Sequence, residues 1–76
     1  MSAPKRYRVT VDPHGDGWAV QAHHLIGDEV IGSGHLYERS SIAAAMDAAE
    51  ALVRHRQGAG KSCVLVLSPE AQEANT

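Results

Sequence analysis

The chain has 76 residues, a formal charge of −2, one cysteine, and an apolar fraction of 43% that includes no Phe, one Trp and two Tyr. That length holds a single domain, and one cysteine excludes an internal disulfide. The charge argues against nucleic-acid binding by the whole surface while leaving room for a local basic patch. No apolar run approaches the ~20 residues that cross a bilayer, so no membrane association is expected.

A lone thiol fits a reducing compartment, and the expected location is the cytoplasm. Met1 to Arg6 lead into a strand with no apolar h-region, so no signal peptide is expected. A domain of this size buries only about 60% of the surface its unfolded chain exposes. Much of the apolar content is Ala, so the core has to be thin, and a thin core favours a partner subunit.

Residues 1–5 read as a flexible arm, 6–67 as one α+β domain, and 68–76 as a frayed or disordered tail. Arg6 to Asp12 alternates at period two, with Tyr7, Val9 and Val11 on one face and Arg6, Arg8 and Thr10 on the other. Asp12-Pro13-His14-Gly15-Asp16-Gly17 carries hairpin chemistry. Trp18 to Leu25 is the second strand. Trp18, Val20 and Ala22 join the core face, and Gln21 and His23 join the arginines. Gly27-Asp28 turns the chain again. Glu29 to Ser33 is a short third strand weakened by Gly32 and Gly34, with an end anywhere up to Tyr37.

Ile42, Ala45, Met46, Ala49, Leu52 and Val53 then fall at i, i+3, i+4, i+7, i+10 and i+11, one stripe of a helix spanning about Ser40 to Gln57. Ser40 or Ser41 can cap its start, and Gly58 and Gly60 stop it. Ser62 to Leu67 is a last strand, apolar on both faces, and therefore either central or covered by a partner. Ser68-Pro69-Glu70 has the grammar of a helix start with nothing apolar after it to anchor a helix. The expected fold is α+β, in the order β-β-β-α-β: an antiparallel sheet with one helix packed on one face. The direction of the last strand beside the first is left open by the sequence.

No catalytic, metal or cofactor site is predicted, and the chain is expected not to be an enzyme. Gly58-Ala59-Gly60-Lys61-Ser62 has part of a phosphate-binding loop, but His55 stands where its first glycine is required and the helix precedes the loop instead of following it. His23 and His24 leave opposite faces of a strand and cannot share an ion. Cys63 begins a buried strand and reads as inert. The aspartates at 12, 16 and 28 sit in or beside turns, and no carboxylate cluster for two metals can be assembled. A single helix covers one side of the sheet. The other side, with Lys5, Arg6, Arg8, Thr10, Gln21 and His23, is the candidate face for a partner or for nucleic-acid phosphates. It carries no predicted aromatics to stack bases.

Tyr7-Arg8-Val9-Thr10-Val11-Asp12, Gly15-Asp16-Gly17-Trp18-Ala19-Val20 and the helix with Ala44, Ala48, Ala49 and Glu50 together resemble the HicB-like antitoxin domain over residues 6–57. The resemblance implies a partial ribonuclease-H-like fold, homo-oligomers and neutralisation of a small ribonuclease toxin. The chain departs from that family after strand two. His24-Leu25-Ile26-Gly27 lacks the family's two prolines, the interval from Gly27 to the helix is longer, and no DNA-binding segment is read before Thr76. The same element order also looks like small bacterial β-β-α-β proteins of no assigned activity. The expected function is thus a small non-enzymatic protein-binding module, antitoxin-like, acting as a homodimer. The alternative is a nucleic-acid-binding accessory protein using the basic sheet face.

Overall fold

The computed structural model describes residues 5–76, leaving aside the side chains of Lys5 and His35. Three strands, β1 (Lys5–His14), β2 (Gly17–Ile26) and β3 (Glu29–Arg39), are followed by helix α1 (Ile42–Gly58), strand β4 (Ser62–Leu67) and a short helix α2 (Pro69–Ala74). The sheet order is β3-β2-β1-β4. The fold is α+β, with one main helix on the sheet.

Two tight turns make the first three strands. His14 pairs with Gly17 across Gly15-Asp16, and Ile26 pairs with Glu29 across Gly27-Asp28. Gly15 and Gly27 hold φ of 57° and 62°, which a residue with a Cβ adopts only at a cost. β1 and β2 then run antiparallel without interruption from Lys5↔Ile26 to His14↔Gly17. Opposite partners share a face, so Val9 with Ala22 and Val11 with Val20 point inward, as their alternation predicts.

β4 lies parallel to β1, with Arg6↔Ser62 through Val11↔Leu67 in register. The sheet is therefore mixed, which corrects the expectation of an antiparallel sheet. Parallel neighbours need a long crossover, and α1 supplies it. β4 is also an edge strand rather than a central one. The third strand runs to Arg39, well past Ser33, and β2 holds it through two register shifts, between Val20 and Ala22 and between His24 and Leu25. The proposed arm at 1–5 falls outside the described residues except for Lys5, which begins β1.

α1 is capped by Ser41, whose side-chain oxygen accepts a hydrogen bond from the Ala44 N–H at 3.1 Å. Its stripe lies on the sheet. Ala45 and Ala49 are fully buried, and Ile42, Met46, Leu52 and Val53 pack around Val9, Val11, Val20, Ala22 and Cys63. The largest fully buried side chains are the three valines, so the core is thin. Each contributes about 1.5–3 kcal/mol by leaving water.

The helix ends in a left-handed glycine. Gly60 has φ 80°, its N–H donates to the Gln57 carbonyl at 3.0 Å, and the Lys61 N–H donates to the Arg56 carbonyl at 3.1 Å. This is a Schellman cap. The loop-like Gly58-to-Ser62 run is thus a helix terminator. The expected frayed tail is instead α2, capped by the Ser68 hydroxyl and opened by Pro69. A single small side chain, Ala71, anchors it, fully buried against the main core.

Candidate functional site

The period-two alternation correctly places the predicted face. Arg6, Arg8 and Thr10 of β1 stand on the side away from α1, with Gln21 and His23 of β2 beside them. Nothing is described for the Lys5 side chain. The face is less basic than its arginines suggest. One Arg6 guanidinium nitrogen donates to the Gly27 carbonyl at 2.6 Å and to Asp28 Oδ1 at 2.9 Å. Asp12 shares the face, and His14 Nε2 lies 3.0 Å from the Glu38 carboxylate. His23 is engaged on both ring nitrogens, with Nε2 3.0 Å from Thr10 Oγ1 and Nδ1 2.8 Å from Ser33 Oγ. This polar row ties β1, β2 and β3 together. Leu25 stands opposite Arg6 on this side, only 2% exposed. Val64 and Val66 of β4 complete the face at 54% and 43% exposure.

The other side of the sheet carries a concavity that sequence reasoning missed. Two rows cross β1, β2 and β3 in register: Tyr7–His24–Gly32 and Val9–Ala22–Gly34. Side-chain size falls away toward β3, where the glycines leave space. The result is a cavity of about 320 Å³ lined by Tyr7, Ala22, His24, Gly32, Gly34 and Arg56, among others. Tyr7 and His24 stack, with centroids 4.7 Å apart and planes within 7°. The Arg56 guanidinium lies 4.7 Å from the Tyr7 ring centroid and the Lys61 ammonium 5.2 Å from it. The Gly60 cap turns the chain so that Lys61 follows Arg56 to the same ring. Arg56 sits three residues after Val53 and continues the inward stripe of α1. A cation at that position was the one local signal available.

His24 Nε2 and Arg56 Nε are buried without a hydrogen-bond partner. Both belong to side chains of residues that line this cavity, and no salt bridge to Arg56 occurs among the described residues. No group of three or more metal-ligating side chains is found among the described residues. No helix there is long and apolar enough to cross a membrane. No family model, no curated protein and no solved structure matches the chain.

Cys63, 5% exposed, borders this region on β4. Burial pushes its thiol above the ordinary range, and the nearby Arg56 charge offsets that only in part. The neutral thiol is the unreactive form. Folded protein should therefore react with a disulfide reagent at about pH 8 much more slowly than unfolded protein, and equal rates would contradict the buried assignment. The unfolded thiol loses its proton first as pH rises. The stabilising contribution is thus complete below about pH 8.5 and is lost as pH climbs through the folded value.

Proposed function

We propose that this protein is a non-enzymatic binding module that acts as a homodimer paired through β4, and that the open sheet face of the dimer receives a partner protein in an antitoxin-like manner. The observation that carries this reading is the placement of β4. Its run Cys63-Val64-Leu65-Val66-Leu67 is apolar on both faces, yet it forms an edge. Cys63 points to the core, while Val64 and Val66 are exposed on the far side. Edge strands are normally blunted by charge, proline or a bulge. β4 contains no charged residue and no proline, and its ladder with β1 is unbroken. The opposite edge, β3, is interrupted twice. Two β4 strands related by a twofold axis would continue the sheet and bring Val64 and Val66 of both copies together.

The HicB-like resemblance over residues 6–57 and the β-β-β-α-β order support the antitoxin-like part, and the single free thiol suits a cytoplasmic setting. Light scattering after size exclusion tests the assembly. Wild type is expected at twice the mass of one chain at micromolar concentration, and Val66→Lys at the mass of one chain with unchanged circular dichroism. A monomeric wild type, or a dimer that survives Val66→Lys, defeats the β4 interface. The partner role has its own test: a small ribonuclease encoded beside this gene should lose activity on mixing with the protein.

A further inference from the structure

We propose that the cavity beneath the C-terminal end of α1 binds the phosphate group of a small molecule, with Arg56 and His24 as its ligands and Gly32 and Gly34 as its floor. Several independent features meet there. The volume, about 320 Å³, is that of a small-ligand site. Of the buried side-chain polar atoms that lack a partner, both identified among the described residues, His24 Nε2 and Arg56 Nε, belong to side chains of residues that line this space. An unmet buried polar group costs about 1–3 kcal/mol, so two beside one cavity need a reason. An oxyanion supplies the acceptor for the Arg56 Nε–H, and for His24 in the tautomer that carries its proton on Nε2. Arg56 lines the cavity, Lys61 adds a second positive charge from beyond the lining, against the same Tyr7 ring, and no carboxylate among the described residues lines the cavity. Their summed charge suits a dianion better than a monoanion, and the guanidinium fork suits phosphate geometry.

The glycines point the same way. Neither Gly32 nor Gly34 has a positive φ, and a Cβ built on either would meet nothing within 4 Å. Neither the backbone conformation nor packing against this chain therefore demands glycine at these positions. Glycine inside a strand weakens it and often marks close approach of a ligand. Here the missing side chains are what keep the cavity open. The site lies on the helix side of the sheet, opposite Val64 and Val66, and is independent of the dimer reading.

The test is an NMR titration of the full chain with inorganic phosphate at constant ionic strength, following the Arg56 Nε–H resonance. Saturable movement is expected with a Kd of about 1 mM or tighter. Gly34→Val should abolish it while leaving the protein folded and at least as thermostable as wild type, because valine fits that strand position and fills the cavity. Arg56→Gln should abolish phosphate-dependent shifts at His24. Acetate, with one charge, should bind more weakly. Movement that never saturates overturns the site, as does binding that persists in folded Gly34→Val. Equal affinity for acetate overturns the phosphate assignment. A short oligonucleotide that competes more strongly than a nucleoside monophosphate overturns the small-molecule assignment.

Discussion

Ala49→Leu is expected to cost this domain a large part of its stability. Ala49 is fully buried where α1 lies against the sheet, within the cluster formed by Val9, Val11, Val20 and Ala22. The helix approaches closely because Ala45 and Ala49 present only methyl groups to the strands. A leucine adds three heavy atoms where the structure has no gap for them. Overpacking of this kind costs about 1–3 kcal/mol, and sometimes more. A 76-residue domain has only about 4–11 kcal/mol in total. The melting temperature should fall by roughly 4–24 °C, given 4–8 °C per kcal/mol at this size. Ala43→Leu is the matched control, since Ala43 is exposed on the same helix and its change should stay within about 0.5 kcal/mol. Thermal melts of the two variants decide the point. If Ala43→Leu and Ala49→Leu melt together, the helix does not lie where the structure puts it.

The contrast between those two alanines was readable in the sequence, because the spacing from Ile42 to Val53 is a local property of the helix. The same holds for the sheet faces, where alternation alone separates Val9 and Ala22 from Arg8 and His23. Sheet order was not readable in this way. Whether Ser62–Leu67 lies at an edge depends on where α1 delivers the chain, and an apolar run on both faces fits a buried strand and a partner-covered edge equally well. α2 was missed because its anchor is one alanine, Ala71, whose value comes from the core it enters and not from any stripe of its own. The cavity was missed for a related reason. Gly32 and Gly34 look like strand weakeners in one dimension. Only the cross-strand rows reveal that they stand opposite His24 and Ala22 and leave a hollow beside Arg56.

The predicted outer face shows the reverse case, with positions legible and energetics hidden. Arg6 and Arg8 do lie together, but Asp28 reaches Arg6 across a turn 22 residues away, and Glu38 reaches His14 from the far strand. Such long-range pairing cannot be read from local spacing. The fold also splits these cations between two sides of the sheet, with Arg6 and Arg8 on one and Arg56 and Lys61 on the other. A continuous polyanion would have to track round an edge to meet all four. That division favours separate roles for the two faces over one nucleic-acid groove.

Gly17→Ala is expected to be strongly destabilising for a change of one methyl group. The Asp16-Gly17 pair looks like a turn that needs positive φ at its glycine, but Gly15 is the residue that takes the left-handed conformation. Gly17 has a different task. A Cβ there would collide with the Arg39 carbonyl and crowd Ser40 Cα, both backbone atoms that cannot swing away. The contact joins the start of β2 to the end of β3, just before the Ser41 cap of α1. Relief requires parting Trp18 from Arg39 and shifting the entry to the helix, with an expected cost of about 2–3 kcal/mol. Gly58→Ala provides the opposite sign. Gly58 is the last residue of α1, a methyl group added there would meet nothing within 4 Å, and the change should gain up to about 1 kcal/mol in helix propensity. Denaturant unfolding of both variants, with amide exchange at Arg39 and Ser41, measures the difference. A Gly17→Ala protein with wild-type stability and undisturbed protection at Ser41 would mean that β2 and β3 do not meet as closely as described, and the hairpin that orients α1 would need to be redrawn.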